Sequence, residues 1–350
     1  MALATLSFKH LSHKYRVYLL VLTLVWSWLS VYLAYQDWLG NWHVLGRSPI
    51  EAFKTWLFWA SWASPFILFY FSLRLVQAKT LWVKSIFLLL SLASLVGTWA
   101  RCIEPQMLTI KQTTIANIPE GTNAVKIALV SDLHVGLYYR QWHLKKLVKQ
   151  LNQLPLDAVF FAGDWTYEPE LNLAQAFAPL AQIKHRKFGV LGNHDLQKPG
   201  PALEQQLRQA LTQHGVELIE GKTIDWQGWQ VIGIDDLWGG KPENQVPHLL
   251  TSLVKEGANR RLVLTHQPDT VEQFKNNTAF LTMAGHTHGG QIQLPWLTKR
   301  NLESFSRNPW YDGLYHLPST RLLVSTGLGE TGLPARLFTP PRIDLISLEN

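Results

Sequence analysis

Between residues 125 and 290 the chain repeats one pattern five times: a short apolar run is followed at once by polar residues. Short runs of β-branched and other apolar residues are typical of buried strands. Amphipathic stretches at 143–154 and 202–214 alternate with these runs, and such alternation is typical of an α/β domain. We therefore predict strands at 125–130, 158–162, 188–191, 262–264 and 280–284.

The first hundred residues follow a different pattern, in which long apolar segments carry almost no charge. Segments 17–35 and 55–73 have about the 20 apolar residues that a bilayer-spanning helix needs, and a third near 82–100 is borderline in length. Nine of the 16 tryptophans lie in this region, several near segment ends, as in an interfacial aromatic belt. We predict a helical transmembrane region over 1–104, because three such runs leave little polar surface for a soluble domain.

Basic residues in the short flanks predict the orientation of these spans. Three precede the first span and three lie between the second and third: Lys9, Lys14, Arg16, Arg74, Lys79 and Lys84. With three spans, the N-terminus lies in the cytoplasm and the domain over 105–350 lies outside it. If the third segment only lies on the membrane surface, that domain falls on the cytoplasmic side.

Charge does not point to a nucleic-acid partner, although the 350-residue chain has a net charge of +7. Residues 1–100 hold eight basic and two acidic residues, a net charge of +6. The remaining 24 basic and 23 acidic residues leave the C-terminal domain nearly neutral, so we expect no nucleic acid. The single cysteine, Cys102, cannot form an intrachain disulfide, and we expect it to be passive.

The residues that end the five runs are of the types that bind metal ions. Because the carboxyl ends of strands in an open α/β sheet meet at one edge, we expect these side chains to converge. Mixed nitrogen and oxygen donors suit Mn, Fe or Zn better than Ca or Mg. The candidates are Asp132, His134, Asp164, Asn193, His266, His286 and His288.

Seven donors are too many for one tetrahedral ion with an open position. They suit two divalent ions that share a carboxylate and activate water for attack at phosphorus. Asp164 is a candidate bridge, since a carboxylate has two oxygens. Burial of so many charged and imidazole groups without a metal would be costly.

In order along the chain, these residues resemble the signature motifs of the calcineurin-like metallophosphoesterases, and the resemblance covers about residues 125–345. The motifs are individually modest, but five in order, each after a strand, are specific. They read Asp132-x-His134, Gly163-Asp164, Gly192-Asn193-His194-Asp195, His266 and Gly285-His286-x-His288.

The resemblance implies a two-sheet α/β sandwich over 105–350 with a dinuclear site at one edge. It implies a first ion held by Asp132, His134, Asp164 and His288. It implies a second held by the bridging Asp164 with Asn193, His266 and His286. His194 would contact the phosphate and protonate the leaving oxygen, and Asp195 would orient His194.

Two segments are similar to a membrane-associated bacterial branch of the family, which includes envelope phosphodiesterases and hydrolases of UDP-diacylglucosamine. These segments are 285–291 and the tail from Ser325 to Arg336. The resemblance implies a multi-pass enzyme of the inner (plasma) membrane that hydrolyses a phosphodiester or pyrophosphate bond. Its expected partners are the lipid bilayer and a phosphate-ester substrate, lipid-linked or of the envelope. The alternatives are a phosphomonoesterase or protein phosphatase on the same scaffold, and a catalytically idle membrane scaffold.

Other polar and aromatic residues favour plainer interpretations. We expect surface or helix-flank positions for His143, His185, His214, His248 and His316. Asp235-Asp236 predicts a turn at a strand end, with the rim of the site as the alternative. Trp165 is expected at the pocket mouth, either to stack on substrate or to pack as wall. The segment 327–330 lacks the lysine and spacing of a phosphate-binding loop and is expected near the site.

Overall fold

The computed structural model describes residues 17–18, 21–22, 24–34, 49–169, 172–196, 203–241, 260–275, 278–294, 298 and 308–350. The chain divides into two compact units, Met1–Ile103 and Glu104–Asn350. The division falls beside the boundary that we place at residue 104 from composition. Of the residues named above, Lys9, Lys14, Arg16 and His248 lie outside the described ranges.

The described part of the first unit is helical. Its helices are α1 (Leu24–Ala34), α2 (Pro49–Ser61), α3 (Ser64–Gln77) and α4 (Leu81–Thr98). Helical turns continue α4 to Gln106, and this 26-residue helix is the one described helix that is long and apolar enough to cross a membrane. The segment near 82–100, which is borderline in length as a membrane span by sequence, therefore lies in the longest described helix.

The segment predicted as one span at 55–73 is a bent pair of helices. The axes of Phe53–Ser61 and Ser64–Gln77 differ by 50°, and the two together count as a second candidate span. Pro65 explains the bend, because proline has no backbone N–H and its ring clashes with the preceding helical turn. Of the segment 17–35, the structure describes the shorter apolar helix Leu24–Ala34 and four residues before it.

Two residues at the end of the long helix, Arg101 and Cys102, make polar contacts with residues beside the bend of the helix pair. Arg101 is buried, donates from Nε to Ser61 Oγ at 2.5 Å, and lies 4.4 Å from the Trp62 ring centroid. Cys102 Sγ lies 3.6 Å from Ser64 Oγ. Along α4, by contrast, Ser91 is the one buried residue and the apolar side chains are largely exposed.

The second unit contains two six-stranded sheets. The first has six strands, β1 (Thr109–Ile115), β2 (Val125–Val130), β4 (Ala158–Ala162), β6 (Arg186–Val190), β7 (Val216–Leu218) and β14 (Arg342–Leu348). The second has β8 (Thr223–Trp226), β9 (Trp229–Gly233), β10 (Arg261–Leu264), β11 (Leu281–Ala284), β12 (Gly313–His316) and β13 (Arg321–Val324). A short ribbon joins β3 (Val135–Gly136) to β5 (Thr166–Tyr167). The described α-helices of this unit are α5 (Gln141–Leu151), α6 (Leu173–Phe177) and α7 (Glu204–Gln213), and short 3-10 helices lie at Glu104–Gln106, Ala178–Gln182, Pro268–Gln273 and His288–Gly290.

The main hydrophobic core contains side chains from both sheets. It includes Ile127, Phe160 and Phe188 from the first sheet and Leu262, Met283 and Leu323 from the second. Each of these is fully buried, and burial of one such side chain contributes about 1.5–3 kcal/mol. The predicted two-sheet α/β sandwich is confirmed.

Strand register determines where the polar ends of the strands lie. In the first sheet β2, β4 and β6 are adjacent and parallel, with Leu129 opposite Phe160 and Phe160 opposite Phe188. In the second sheet β9, β10, β11 and β13 are parallel neighbours. Each parallel set therefore ends in a row of loops at one edge of its sheet.

Candidate metal centre

The loops that carry the predicted ligands have an unusual backbone conformation. Five of the seven ligands lie in the left-handed region, although none is glycine: Asp132, His134, Asp164, His286 and His288, with φ between 48° and 73°. Such residues are rare and cost about 1–3 kcal/mol each, and they cluster at functional sites. The adjacent loops hold one another in this conformation, since the Asp132 N–H donates to Gly163 O and the His134 N–H to Asp164 O, each at 3.0 Å.

One group of donors combines the loop after β2 with the loop after β11. His134 Nε2 lies 3.0 Å from His288 Nε2, and His288 Nε2 lies 3.5 Å from Asp132 Oδ1. All three side chains are buried. The group has the composition and spacing to hold a metal ion.

A second group combines the loops after β4 and β6 with the loops after β10 and β11. His266 Nε2 lies 3.2 Å from Asp164 Oδ2, 3.1 Å from Asn193 Oδ1 and 3.2 Å from His286 Nδ1. Asp164, His266 and His286 form the second set that could hold an ion. All seven predicted ligands therefore lie in two adjacent groups.

The Asp164 carboxylate faces both groups through one oxygen. Its Oδ2 atom lies 3.5 Å from His134 Nε2 and 3.2 Å from His266 Nε2. Its other oxygen, Oδ1, accepts a hydrogen bond from the His194 backbone N–H at 2.9 Å. The Asp164 carboxylate therefore lies between the two donor groups.

Hydrogen bonds between the two sheets fix the groups relative to each other. His266 Nδ1 lies 2.7 Å from Ala162 O, so a proton on Nδ1 is donated to the end of β4 and Nε2 faces the donors. The His286 N–H donates to Asp132 Oδ2 at 3.0 Å. Gly163, with φ of +85°, is required beneath His266, because a Cβ there would lie 2.8 Å from His266 Nδ1.

The buried carboxylates and His266 have shifted pKa values. Burial raises the pKa of Asp132 to about 6, partly offset by the charge of His266. Burial also opposes ionisation of Asp164, but the imidazoles of His266 and His194 lower its pKa well below the usual range. Burial lowers the pKa of His266, yet the charges of Asp164, Asp132 and Asp236 outweigh it and raise the value to about 10. The buried carboxylates are thus stabilised by nearby positive charge, which a bound cation can supply in place of the proton on His266.

The other three imidazoles are kept neutral. Burial lowers the pKa of His134 and of His286 to about 3 and that of His288 well below its usual value. A neutral imidazole is the form that binds a metal. Among the described residues, the buried His286 Nε2 atom has no hydrogen-bond partner. Two anionic carboxylates, neutral imidazoles and this unpaired nitrogen together fit divalent cations.

His194 and Asp195 lie in the same loop but face different neighbours. The His194 ring is half-buried, and its centroid lies 5.0 Å from that of His134 and 5.3 Å from that of Tyr167. Asp195 is fully buried and accepts hydrogen bonds at 2.9–3.1 Å from Trp165 N, Gly192 N and the N–H and hydroxyl of Thr166. Its oxygens have no hydrogen bond with the His194 imidazole among the described residues. Asp195 therefore supports the loop that carries Asp164. The prediction that Asp195 orients the His194 side chain has no hydrogen bond between these two described side chains to support it.

Sequence reasoning chose the wrong tryptophan for the pocket mouth. Trp165 is 1% exposed, stacks on Phe161 and donates from Nε1 to Val190 O at 2.8 Å, so it packs in the interior and is not among the residues that line the cavity. Trp238 is 57% exposed, and its ring centroid lies 4.6 Å from that of His286. The signal for it was the turn sequence that follows Asp235-Asp236, at the end of β9.

Asp235 and Asp236 form a turn at the rim of the site. Asp236 accepts from the N–H groups of Trp238 and Gly239 at 2.9 and 2.7 Å, and Asp235 accepts from the Lys241 N–H at 2.9 Å. Both expected interpretations, the strand-end turn and the rim, therefore apply to the same residues.

Arg336, in the tail segment, is a further residue that sequence reasoning did not assign. It is fully buried, donates to Thr326 O at 3.2 Å, Thr339 O at 2.9 Å and Gly329 O, and lies behind His288. Burial lowers its pKa to about 10, so it remains a cation at neutral pH. These bonds hold the 326–339 loop against Asp132, whose backbone oxygen accepts from the Gly329 N–H at 2.6 Å.

The donor groups open into a cavity of about 470 Å³. Its polar floor includes Asp164, Asn193 and His194, and its walls include Trp238, Ile292 and Leu333. This volume falls in the range of small-molecule sites. A phosphate group at the floor would lie beside both donor groups.

The calcineurin-like phosphoesterase family matches residues 125–304, half of the chain, and the chain belongs to this family. It is similar to the uncharacterized metallophosphoesterase YkuE of Bacillus subtilis, with 30% identity over 72% of this chain and 89% of that protein. It is also similar to the phosphodiesterase YaeI of Escherichia coli, with 23% identity over 70% of this chain and 90% of that protein.

A zebrafish relative is named as a transmembrane protein with a metallophosphoesterase domain. It is 28% identical over 70% of this chain, and the matched part is 58% of that protein. A Helicobacter pylori relative, an uncharacterized metallophosphoesterase, is 29% identical, and 63% of it is matched. The protein is thus a metal-dependent phosphoester hydrolase of a family that uses divalent metals, and its substrate is a phosphate ester.

Proposed function

We propose that this protein is a membrane-anchored dinuclear phosphoesterase that hydrolyses a phosphodiester or pyrophosphate bond on a lipid-linked or cell-envelope substrate. The observation that carries the dinuclear part is the position of Asp164 Oδ2, within 3.5 Å of a nitrogen from each donor group. One oxygen that faces both donor groups supports two ions and a shared ligand.

The residues that would hold the ions follow from this geometry and from the family motifs. Asp132, His134, Asp164 and His288 would hold the first ion, and Asp164, Asn193, His266 and His286 the second. Manganese, iron and zinc all suit these donors. When bound, such ions polarise a phosphoryl oxygen and lower the pKa of water, so that it attacks phosphorus.

The chain itself supplies the proton for the leaving group. His194 is not a member of either donor group, and its half-buried ring borders the pocket floor. We assign to this imidazole the protonation of the leaving oxygen. Asp195 acts indirectly, because its hydrogen bonds to Trp165 and Thr166 fix the loop after Asp164.

Membrane anchoring is supported by the surface of α4. Leu81, Trp82 and Leu89 are more than two-thirds exposed, and an 18-residue stretch of the helix Leu81–Gln106 has a mean hydropathy of 1.8. Exposed apolar side chains on a 26-residue helix are stable in lipid and costly in water. We propose a multi-pass protein of the inner (plasma) membrane with the N-terminus in the cytoplasm and the catalytic unit outside it.

A phosphodiester substrate is favoured over a monoester by the relative named phosphodiesterase and by the apolar walls of the pocket. The test uses full-length protein in detergent, stripped of metal and reloaded with Mn²⁺, Fe²⁺ or Zn²⁺. We expect bis(4-nitrophenyl) phosphate to be hydrolysed with a higher kcat/KM than 4-nitrophenyl phosphate. The reverse order would assign a phosphomonoesterase.

Asp164→Asn and His286→Ala should lose metal and activity together. Asp225→Asn is the matched control, because Asp225 is an exposed carboxylate on β8. Full hydrolysis of the diester by either site variant would overturn the assignment of the donors. Normal function of His194→Ala in cells would support an idle scaffold instead.

A further inference from the structure

The wall of the catalytic pocket carries two apolar side chains that are exposed to solvent. Trp238 is 57% exposed and Leu333 is 56% exposed, and both line the cavity that holds Asp164 and His194. They come from different parts of the chain, the turn after β9 and the loop after β13. Exposed apolar surface at the mouth of a concave site marks a ligand-binding wall.

Trp238 is held in position by a buried carboxylate. Asp236, which is fully buried, accepts from the Trp238 and Gly239 N–H groups through Oδ1, and its Oδ2 accepts from Gln267 Nε2. The indole packs edge-on against His286, with an angle of 86° between the rings. The tryptophan is thus fixed beside the second donor group.

Leu333 is held by a similar arrangement on the opposite loop. Gln291 is buried, its Nε2 donates to Thr331 O at 3.1 Å and Leu333 O at 2.7 Å, and its Oε1 accepts from the Thr331 N–H at 2.9 Å. The Tyr138 hydroxyl donates to Gly332 O at 2.6 Å. The buried side chain of Asp236 therefore fixes the backbone at Trp238, and that of Gln291 fixes the backbone at Leu333.

We propose that Trp238 and Leu333 bind an apolar substituent of the phosphate ester, either an alkyl or acyl chain or an aromatic ring. This inference rests on the proposed function and names its substrate class. The donor groups would take the phosphate at the pocket floor, and the apolar walls would remove the substituent from water. Walls fixed before binding lose little conformational entropy, so the buried apolar area contributes to affinity.

The test compares three diesters that share one leaving group: methyl, octyl and phenyl 4-nitrophenyl phosphate. Full-length protein loaded with Mn²⁺ is assayed in one detergent at one concentration, so that partition into micelles is the same for every variant. We expect kcat/KM for the octyl or phenyl ester to exceed that for the methyl ester about 10- to 100-fold. A higher kcat/KM for the octyl ester alone would identify an alkyl or acyl chain as the substituent. A higher kcat/KM for the phenyl ester alone would identify an aromatic ring.

Trp238→Ala and Leu333→Ala should each reduce the ratio of kcat/KM between the preferred ester and the methyl ester about 3- to 10-fold. Trp238→Phe should keep most of the ratio, because the ring remains. Trp142→Ala is the matched control, since Trp142 is 54% exposed on α5 and does not line this pocket.

Two outcomes would overturn the proposal, and they are distinct. If the wild type hydrolyses all three esters with equal kcat/KM, or if Trp238→Ala and Leu333→Ala keep the wild-type ratio, the apolar wall has no role and the proposed function stands. If no ester is hydrolysed with any metal, the proposed function fails and this inference fails with it.

Discussion

The Nε2 atoms of His134 and His288 lie 3.0 Å apart, although 154 positions separate the two residues in the chain. His134 follows a strand of the first sheet and His288 follows a strand of the second. Burial lowers the pKa of both imidazoles, so both are neutral at physiological pH. The site is thus assembled between the sheets, and each sheet contributes an incomplete set of donors.

Substitution of Asp164, which faces both donor groups, should remove more metal than substitution of His134, which belongs to one group. We expect Asp164→Asn to reduce bound metal from two ions to none per chain and His134→Ala to reduce it from two to one. Hydrolysis of a diester should fall more than about 100-fold in both, since ligands and their supports each contribute strongly to metal affinity. Metal content by mass spectrometry after gel filtration distinguishes the two variants. Retention of one tightly bound ion by Asp164→Asn would show that Asp164 does not bridge.

Metal removal should lower the stability of the folded protein. Ions that bind only the native state stabilise it by about 2.7 kcal/mol when free metal is 100 times Kd. We expect a chelator to lower the unfolding temperature of the wild type by several degrees. Asp164→Asn should show no such shift, and Asp225→Asn should behave as wild type. Equal shifts in wild type and Asp164→Asn would mean that the chelator acts elsewhere.

Asp195→Asn should weaken metal binding without removal of a ligand. The amide oxygen can replace one carboxylate oxygen, but the amide nitrogen would face N–H donors that Asp195 now satisfies. An unsatisfied buried group costs about 1–3 kcal/mol, and we expect the free energy of unfolding to fall by that amount. Activity should return at high metal concentration, because the ligands remain. Wild-type metal affinity in this variant would contradict the supporting role.

His143 should make stability depend on pH. Burial lowers its pKa from 6.5 to about 4, and its Nδ1 accepts from the Arg140 N–H at 2.9 Å, which only the neutral ring can do. The unfolded chain therefore takes up a proton near pH 6.5 and the folded chain only near pH 4. Stability from this group is complete above pH 6.5 and falls as pH drops toward 4, by up to about 3 kcal/mol.

Urea unfolding at pH 7 and pH 5 measures this effect against His143→Gln as control. The variant should lose less stability between the two pH values than the wild type, because glutamine does not titrate. Equal losses in both proteins would show that other groups account for the pH dependence.

The side of the membrane on which the catalytic unit lies can be read by cysteine labelling. Glu349 is exposed near the C-terminus, and Cys102 is the only native cysteine. In a Cys102→Ser background, Glu349→Cys should react with a membrane-impermeant maleimide on intact cells, because the proposed topology places this residue outside. Labelling only after lysis would place the catalytic unit in the cytoplasm.

Much of the catalytic unit follows from the sequence because its signals are local. Buried parallel strands are short apolar runs, and β2 and β4 begin and end where the runs at 125–130 and 158–162 do. The seven predicted ligands come together because strand register fixes where each run ends. The family motifs and the ends of the strands therefore predict the same seven residues as metal ligands.

The features that sequence reasoning missed depend on tertiary contacts. Trp165 and Trp238 both follow acidic residues at strand ends, and only packing distinguishes the buried ring from the exposed one. Two of the partners of Asp195, Trp165 and Thr166, lie about 30 positions away, between the end of β4 and the start of β5. The bend beside Pro65 was not predicted, because hydropathy alone does not register the effect of a proline on a helix.

The division of ligands between the sheets has a consequence for protein synthesis. A nascent chain that has emerged only as far as β7 carries Asp132, His134, Asp164 and Asn193, but none of the histidines from the second sheet. Domains generally fold as units during synthesis. If these residues hold the ions as proposed, stable metal loading requires that His288 has emerged and that the two sheets have docked, so we expect the ions to be acquired late in synthesis.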